Sequence, residues 1–558
     1  MTELITALAV LFVTAGAFLL VANHFSLSPV PFYILAGLVA GTFLDQPELI
    51  ELAQWGIAFL VFVFGFTVDF KSLQAVIRDS EAAAVTQLII VAPVAFAVAT
   101  IYGFDTLNAV YFSVAATLSS TIVGAGLLEH EIRDNLVHGR LASSVHFFDD
   151  LLAIGLILVL SAEAYTTTQV TSKIGFGVLF LIAALLVYRH IFPLLVRLAG
   201  DSDELVMMGS ISILIGFLAG AELAGLSMVV GAFAAGISIR SDDASTIGVL
   251  NGIESIKDFF VAIFFVTVGA LVSVPDLEVF IVAATLTALV LFVNPFVIML
   301  SFVYEGYDAR TAFLASSTLN QVSELSLVIA IQAALAGAIS ETLFEAIILA
   351  AAITMILTSV ARRHEETVYS TFVEGLFAGR LTRKIDERSD VDEGLEDHVV
   401  IIGYGRQGRR VVETCERLGR EYVVIENDPV LWDDMRAECR NYVLGDAMSS
   451  YPWEKAHVED ATLVMSTVDH RPVSKSVLEV DTPAEVILRA STSEVARDLL
   501  SGGAGYVSVP NILASDQLAT VVQSTLDGDR SLDQIREEHL DQFETLERYG
   551  FGSRVGDD

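Results

Sequence analysis

The sequence predicts a helical membrane bundle of about thirteen spans, followed by a soluble domain built on a parallel α/β sheet. Residues 1–361 form a series of apolar runs, several of them close to the ~20 residues that a helix needs to cross a bilayer. From residue 362 onward the chain becomes polar and charged. From His398, short apolar runs alternate with polar helical patterns, which is typical of parallel strands joined by helices.

Basic residues indicate how the spans are oriented. Candidate spans include 107–128, 141–161, 277–303 and 312–336. If the C-terminus is cytoplasmic, the outer loops hold only Lys173, and the remaining basic residues of the bundle lie at cytoplasmic loops and span ends: Lys71, Arg78, Arg133, Arg140, Arg189, Arg197, Arg240, Lys257 and Arg310. This asymmetry follows the positive-inside rule. It predicts a multi-pass protein of the cell membrane with a cytoplasmic C-terminal domain.

The change in composition suggests four segments. We expect a transmembrane domain at 1–363, a charged linker at 364–396, a nucleotide-binding domain at 397–512 and a polar tail at 513–558. Six apolar runs are predicted strands of the soluble domain: HVVIIGY, EYVVIE, NYVLGD, TLVMST, EVILRA and YVSVP. The tail after residue 531 is expected to form a helix and an irregular end. Many transporters contain inverted repeats, but this sequence does not display one.

The charge balance limits the possible partners. The chain has 68 acidic and 32 basic residues and a net charge of −36, which disfavours nucleic acid as a partner. Such an acid excess suits a high-salt cytoplasm, as in salt-loving archaea, although an ordinary acidic protein is the alternative. Cys415 and Cys439 lie outside any C-x-x-C motif and fit a reduced compartment. The apolar N-terminus is expected to be a first span, because it lacks a basic region and a cleavage site.

Asp149 and Asp150 form the candidate ion site. They lie in the middle of a predicted span, in HFFDDLLAI, where a charge is costly and therefore indicates function. Neighbours on a helix point about 100° apart, so one carboxylate can line an ion path while the other flanks it. Two nearby carboxylates cannot both ionise freely, so the pair can hold a proton or a small cation, but not easily both. That competition is the basis of antiport. The alternative, a pair at a misplaced loop boundary, is disfavoured by the apolar flanks.

Three further groups of polar residues lie within spans. Ser119, Ser120 and Thr121, with Gly124 and Gly126, lie in ATLSSTIVGAG and suit a locally unwound helix that offers oxygens to a cation, or a helix-packing seam. Glu324, in STLNQVSELSLVIA, is either a structural partner of a basic group or part of the cation route. His146 precedes Asp150 by four residues on the same helix face and is either a packed residue or one that tunes the response to pH.

The segment GYGRQG has the spacing of a dinucleotide-binding loop. Gly403, Gly405 and Gly408 follow a predicted strand and open a helix, and Glu426 ends the next strand, 23 residues after Gly403. The glycines allow backbone amides to approach a phosphate at the helix N-terminus, and Glu426 can bind ribose hydroxyls. We therefore expect nucleotide binding, with a degenerate domain that binds no ligand as the alternative.

Together these motifs resemble the monovalent cation:proton antiporter-2 family, which includes Kef-type potassium efflux systems and electrogenic sodium/proton exchangers. The C-terminal part resembles the family's KTN domain, also called RCK or TrkA-N, and the likeness covers about residues 5–512. LSSTIVGAGLLE is similar to the family's serine-rich unwound helix, and HFFDDLLAI is similar to its ion-binding helix, with Asp150 at the essential aspartate. IKDFFVAIFFVTVGALV and NQVSELSLV are similar to two further family segments, with Glu324 at the glutamate of the second. GDA at 445–447 adds Asp446 to the implied nucleotide site.

The resemblance implies a sodium/proton antiporter-like fold with inverted repeats, a homodimer, and NAD(H) or an adenine nucleotide as the regulatory ligand. It implies a transporter of Na⁺ or K⁺ rather than an enzyme. Two departures bear on the cation. Asp149 stands where Kef-type members carry glutamine, which favours Na⁺, and Asn294 stands where many relatives carry lysine, which leaves the proton stoichiometry open.

Parts of the sequence fit two other functions. A ligand-gated potassium channel shares this type of C-terminal domain, and Thr267–Ala270 faintly resembles part of a selectivity filter. The filter motif is incomplete, however, and a channel needs far fewer spans. A membrane-tethered NAD oxidoreductase would need a second catalytic domain, and too few residues follow the sixth strand to form one.

Overall fold

The computed structural model describes residues 2–25, 27–43, 46–67, 70–133, 136–160, 167–200, 202–239, 247–273, 275–373, 375, 387–392, 394–528, 530–537 and 540. Arg240, much of the predicted linker (376–386) and the end of the predicted tail (541–558) lie outside these residues. The chain forms two compact units. The first comprises Met1–Ile132, Gly139–Ser301 and Leu314–Glu365, and the second comprises Arg133–His138, Phe302–Phe313 and Glu366–Asp558.

Residues up to Val368 are helical over most of their length. The α-helices are α1 Thr2–His24, α2 Pro29–Ala40, α3 Gln46–Thr67, α4 Phe70–Ile101, α5 Thr106–Thr117, α6 Thr121–Leu127, α7 Glu129–Arg133, α8 Val137–Leu160, α9 Thr167–Leu186, α10 Phe192–Ala199, α11 Asp203–Leu223, α12 Met228–Ile237, α13 Ile247–Ala270, α14 Leu277–Ala288, α15 Asn294–Glu305, α16 Ala309–Ser317, α17 Glu324–Leu335, α18 Glu341–Ala361 and α19 Glu365–Val368. Wider π turns join α9 to α10 (Val187–Ile191) and α14 to α15 (Leu289–Val293) and follow α19 (Tyr369–Val373), and short 3₁₀ turns occupy Gly41–Phe43 and Arg362–His364.

Several of these helices can cross a membrane. Within the described residues, six are long and apolar enough: Ala82–Ile101, Val137–Leu160, Thr171–Ala199, Asp203–Leu223, Leu277–Glu305 and Glu341–Val373. Five shorter apolar helices accompany them: Ala9–His24, Pro29–Phe43, Leu52–Phe66, Met228–Ile237 and Glu324–Leu335. The predicted helical membrane region is confirmed, whereas the predicted number of spans stays a prediction.

Small residues let the helices approach closely. A Cβ built on Gly37 of α2 would lie 2.0 Å from the carbonyl oxygen of Val266 in α13. A Cβ built on Gly269 of α13 would lie 2.0 Å from the carbonyl oxygen of Ile34 in α2. The two backbones are therefore in direct contact through glycines, as is common where helices pack inside a membrane.

The second unit contains the predicted α/β domain. Its strands are β1 His398–Ile402, β2 Tyr422–Glu426, β3 Tyr442–Leu444, β4 Ala461–Ser466, β5 Glu485–Arg489 and β6 Tyr506–Ser508. They form one parallel sheet in the order β3-β2-β1-β4-β5-β6, with β1 and β4 adjacent at its centre. The helices of the domain are α20 Arg406–Leu418, α21 Trp432–Glu438, α22 Ser450–Lys455, α23 Arg471–Glu479, α24 Ser493–Ser501 and α25 Pro510–Leu526.

The six predicted strands are thus confirmed, and so is their parallel arrangement. Apolar runs such as Val399–Ile402 are nearly continuous because helices cover both faces of a parallel sheet. One side of the sheet packs on a core that includes Val400, Val464 and Leu488. The other side packs on a second core that includes Ile401, Val424 and Val412. The strand order places the carboxyl ends of β1 and β4 next to each other, where doubly wound sheets bind ligands.

Candidate ion site and nucleotide-binding loop

Two interrupted helices cross in the first unit. The chain is extended between α5 and α6, at 118–120, and it leaves helical structure again between α16 and α17, at 318–323. Ser119 and Val322 form an antiparallel bridge, and the N–H of Ser323 donates to the carbonyl oxygen of Leu118 at 3.1 Å. The sequence predicted an unwound helix at the first interruption. The second interruption splits the predicted continuous span 312–336.

One neighbouring helix, α18, forms hydrogen bonds with two backbone groups that the second interruption leaves without a helical partner. The N–H of Val322 donates to Thr354 Oγ1 at 3.2 Å, and Thr358 Oγ1 donates to the carbonyl oxygen of Asn320 at 2.9 Å. Both threonines lie on α18. Irregular backbone is tolerated at membrane depth only where such groups find partners inside the protein. The last long helix of the bundle therefore supports the interruption.

Asp149 and Asp150 both face the first interruption. Asp149 accepts from the backbone N–H of Ser119 at 2.9 Å and from the hydroxyl of the same residue. Asp150 accepts from Thr121 Oγ1 at 2.7 Å, while its Oδ1 atom has no hydrogen-bond partner in the described structure. Their exposed fractions are 3% and 2%. The two adjacent carboxylates are therefore held by neutral donors. These donors, Ser119 and Thr121, lie two residues apart in the chain, where the unwound segment meets α6.

Glu324 approaches the same place from the second interruption. It lies in the first turn of α17, where its Oε1 atom accepts from the N–H of Ile122 at 3.2 Å. Its Oε2 atom is buried and has no hydrogen-bond partner among the described residues. The predicted residue Ser120 is fully buried and caps α6, because its hydroxyl accepts from the N–H of Val123 at 3.4 Å. The Ser120 hydroxyl also donates to the Glu324 carboxylate. The structure thus brings Ser120, Thr121, Asp150 and Glu324 together at the N-terminus of α6.

Four other residues at this crossing lie outside the predicted set of ion-binding residues. The Gln87 amide on α4 donates to the carbonyl oxygen of Thr117. Ser119, which the motif contained but the predicted site omitted, holds Asp149. His146 Nδ1 lies 3.2 Å from Ser119 Oγ, and Asn294 Nδ2 donates to the carbonyl oxygen of Leu319 at 3.3 Å. The serine-rich motif around Ser119 and the spacing of His146 from Asp150 were the local signals for these contacts, whereas Gln87 and Asn294 lie far away along the chain.

This arrangement can hold either a cation or protons. Carboxylate, hydroxyl and carbonyl oxygens are the ligands that small hard cations prefer. Asp150 Oδ1 and Glu324 Oε2 are buried and have no hydrogen-bond partner among the described residues, so both oxygen atoms can bind a cation. A carboxyl group that holds a proton loses most of its capacity to bind a cation. The site therefore has the chemistry for alternative occupancy.

The GYGRQG segment forms a tight turn from β1 into α20. Gly403 has φ +89°, a conformation that favours glycine. A Cβ on Gly408 would lie 1.9 Å from the carbonyl oxygen of Gly403, so this position lets the helix pack on the strand. A Cβ on Gly405, the N-cap of α20, would meet nothing within 4 Å. The helix N-terminus therefore faces open space, which is the geometry that accepts a phosphate.

The carboxylate of Glu426 stabilises this turn by accepting hydrogen bonds from backbone N–H groups. Its Oε2 atom accepts from the N–H of Tyr404 at 2.6 Å, and its Oε1 atom accepts from the N–H groups of Asn427 and Asp428 at 2.8 and 3.0 Å. Burial, followed by the charge of Asp428, raises the pKa of Glu426 above its usual value. The predicted ribose-binding carboxylate thus also fixes the backbone of the glycine turn.

Asp446 takes part in a charged cluster of the second unit. Arg310, in the first turn of α16, donates to Asp446 Oδ2 at 3.0 Å and also pairs with Glu366. Asp308 lies beside them, and burial, together with the charge of Asp446, raises its pKa to about 6. Asp446 Oδ1 accepts from the N–H of Met448 at 3.0 Å. The predicted nucleotide-binding residue is therefore also the partner of a buried arginine, which the sequence did not indicate.

Arg489 is a second basic group that the sequence analysis missed. It ends β5, its Nη1 atom lies 3.3 Å from Gln407 Oε1, and its Nε atom lies 3.7 Å from Asp469 Oδ2. Gln407 belongs to the glycine-rich turn. A partly exposed guanidinium therefore lies at the same edge of the sheet as the N-terminus of α20, where a ligand phosphate is expected.

Two family models match the chain. Residues 8–363 match the family model of the sodium/hydrogen exchanger transmembrane domain, and residues 399–510 match that of the TrkA-N domain. YbaL of Escherichia coli (strain K12), named as a candidate cation/proton antiporter, is 26% identical over 531 residues, which cover 91% of this chain and 95% of YbaL. The glutathione-regulated potassium-efflux system protein KefC of Enterobacter sp. (strain 638) is 24% identical over 481 residues, which cover 83% of this chain and 75% of KefC.

One solved structure, the TrkA-N domain of the inner membrane protein YbaL from Escherichia coli, overlaps 23% of this chain and 98% of that domain, with 23% identity and a TM-score of 0.22. The fold and the two domain matches define a membrane cation/proton antiporter with a nucleotide-binding TrkA-N regulatory domain. The chain belongs to the sodium/hydrogen exchanger family. It is a membrane protein whose C-terminal domain is cytoplasmic, as the sequence predicted.

Proposed function

We propose that the chain exchanges a monovalent cation for protons at the crossing of the two interrupted helices. The observation that carries this proposal is the pairing of Asp149 and Asp150 with neutral donors of one interruption, beside the carboxylate of Glu324 from the other. Discontinuous helices that meet in this way form the ion sites of many secondary transporters.

The exchange follows from competition for the same oxygen atoms. A cation binds to the ionised carboxylates of Asp150 and Glu324 and to hydroxyl oxygen of Thr121. When protons arrive from the other side of the membrane, they neutralise these carboxylates and displace the cation. Because only one of the two cargoes stabilises the site at a time, the transport of one is tied to the return of the other.

The first experiment removes one titrating group. In proteoliposomes that contain a pH-sensitive dye, Asp150→Asn should abolish cation-driven proton movement, because an amide cannot take up and release a proton. Asp149→Asn should have a milder effect, since Asp149 is held by two donors from Ser119. Asp276→Asn, at the N-cap of α14, is the matched control because asparagine caps a helix as well as aspartate does. Full exchange by Asp150→Asn would refute the assignment.

Potassium is the cation that we name. The support comes from relatives that are named for potassium efflux, such as KefC. The paired aspartates favour sodium instead, so the Na⁺ preference predicted from the sequence is the alternative outcome of the test. Titration of the wild-type protein with each cation separates the two, because the preferred substrate should give the lower half-maximal concentration. Equal responses to both would contradict either preference.

We further propose that a nucleotide bound at the glycine-rich turn regulates exchange. NAD(H) or an adenine nucleotide fits best, since Glu426 would repel a 2′-phosphate. Gly405→Asp places a carboxylate at the open N-terminus of α20 without a steric clash. It should abolish binding, measured by calorimetry on the full-length protein, and any nucleotide effect on exchange, while basal exchange remains. Asn511→Asp adds the same charge at the start of α25 and should change neither.

Retained regulation in Gly405→Asp would contradict this role of the turn. The homodimer implied by the family resemblance also stays a prediction. Mass measurement in native-like nanodiscs tests it, and a monomer under those conditions would contradict it.

A further inference from the structure

A cavity of about 450 Å³ lies in the first unit between α4, α5 and α8. Its walls include Leu88, Ala92 and Phe96 from α4, Val114 from α5 and Leu152 from α8. Pro93 also lines the cavity and interrupts the hydrogen bonding of α4. The volume lies within the range of ordinary small-molecule sites.

The lining contains almost no polar surface that could serve a ligand. Its two hydroxyl groups belong to Ser113 and Thr117. Ser113 Oγ donates to the carbonyl oxygen of Ala109 at 2.7 Å, and Thr117 Oγ1 donates to that of Ser113 at 2.8 Å. Both hydroxyls are therefore engaged within their own helix. A polar ligand would lose its hydration and find little compensation in the cavity.

The outer surface around the cavity is apolar. Leu88, Ile89, Val94 and Leu151 lie on the membrane-spanning helices that border it, with exposed fractions of 39%, 65%, 39% and 36%. Exposed apolar residues in the middle of a span contact lipid tails. The phase that reaches the opening is therefore the acyl interior of the bilayer.

The inner wall of the cavity is shared with the ion site. Thr117 and Leu118 line the cavity, and their carbonyl oxygens accept from Gln87 and Ser323 at the helix crossing. The next residue, Ser119, holds Asp149. An occupant of the cavity would thus pack directly against the end of α5, where helical structure stops.

We propose that this cavity binds one acyl chain of a membrane lipid, which packs against the end of α5 and stabilises the helix crossing. The acyl chain supplies the dispersion contacts that the residues lining an empty cavity would lack. Binding requires no polar headgroup contact inside the cavity. This proposal is independent of the transported cation.

The test uses a phosphatidylcholine with a photoreactive diazirine in the middle of one acyl chain. Wild-type protein in vesicles that contain this lipid should be labelled on the cavity walls of α4 and α5, as mapped by mass spectrometry. Ala92→Phe fills the cavity and should lose that label. Ala97→Phe, on an exposed position of the same helix outside the lining, is the matched control and should keep it. Val110→Phe fills the cavity from α5 and replaces Ala92→Phe if that variant does not fold.

A second measurement reports on the stabilising role. Addition of phosphatidylcholine to protein in detergent should raise the melting temperature of the wild type and of Ala97→Phe. The cavity-filled variant should show a smaller rise, because the phenyl ring already occupies the space. Labelling confined to outward residues such as Ile89, or an equal rise in all three proteins, would overturn the proposal.

Discussion

The buried arginine of the second unit provides the sharpest test of the structure. Arg310 has only 10% of its side chain exposed and pairs with Asp446, whose side chain is 6% exposed, and with Glu366. Arg310→Met keeps an unbranched aliphatic stem but removes the guanidinium group and its charge. Asp446 and Asp308 then remain as neighbouring buried carboxylates without their cation. Breaking a buried pair by removing one partner costs about 3–5 kcal/mol, because the other charge stays buried and uncompensated.

The matched control is an exposed pair of the same unit. Arg471 pairs with Asp498 at 2.6 Å, and the two side chains are 55% and 46% exposed. Arg471→Met should cost only about 0–1 kcal/mol, since water and salt screen this pair. For a unit of about 150–250 residues, each kcal/mol shifts the melting temperature by about 2–4 °C. Arg310→Met should therefore lower the melting temperature by about 6–20 °C, and Arg471→Met by less than about 4 °C.

The assay follows tryptophan fluorescence of full-length protein in detergent during heating. The chain has three tryptophans, of which Trp432 and Trp453 lie in the second unit and Trp55 lies in the first. A Trp55→Phe background therefore restricts the signal to the second unit. The double variant Arg310→Met/Asp446→Asn should lose less stability than the sum of the two single variants, because the pair interacts. Additive losses, or a shift for Arg310→Met no larger than that of Arg471→Met, would refute the assignment of this pair.

Two further predictions concern the same unit. Burial raises the folded pKa of Asp308 from the usual 3.8 to about 6, so the stability of the wild type relative to Asp308→Asn should fall as the pH rises from about 4 to about 6. Equal melting curves for both proteins across this range would contradict the burial of this carboxyl group. Gly408→Ala should destabilise the domain, because the alanine methyl group would lie 1.9 Å from the carbonyl oxygen of Gly403. The methyl group of Gly405→Ala would meet nothing within 4 Å, so this variant should have the melting temperature of the wild type. Similar melting temperatures for the two alanine variants would contradict the close approach at Gly408.

The soluble domain was largely predictable from the sequence because its signals are local. Strands buried on both faces appear as short runs of β-branched residues, and all six runs became strands. The glycine spacing of GYGRQG is also a local signal, and it predicted the turn. Only glycine at position 408 lets the start of α20 approach the carbonyl oxygen of Gly403 this closely. The partner of Asp446 was not predictable. Arg310 is 136 residues away along the chain, and nothing near either residue indicates the pair.

The membrane half was predictable only in part. Asp149 and Asp150 were identified because charge is rare within a span. The second interruption was not, because the segment around Glu324 resembles a polar patch on a continuous helix. Thr354 and Thr358, on a separate helix, supply the partners that make the interruption possible. Such long-range contacts leave no trace in local periodicity.

The charge of the crossing explains why such a site would exchange cargo rather than leak. In the part of the chain that the structure describes, the hydrogen-bond donors to Asp149, Asp150 and Glu324 are backbone N–H groups, hydroxyls and the Gln87 side-chain amide, all of them neutral. Asn294, which stands where many relatives carry lysine, donates to a carbonyl oxygen of the second interruption and contributes no charge either. Several buried carboxylates without a fixed cation are costly when all are ionised. Under the proposed function, the compensating charge must come from the cargo, as a bound cation or as protons. An empty site is then the least stable state, so the protein changes sides mainly when one of the two cargoes is bound.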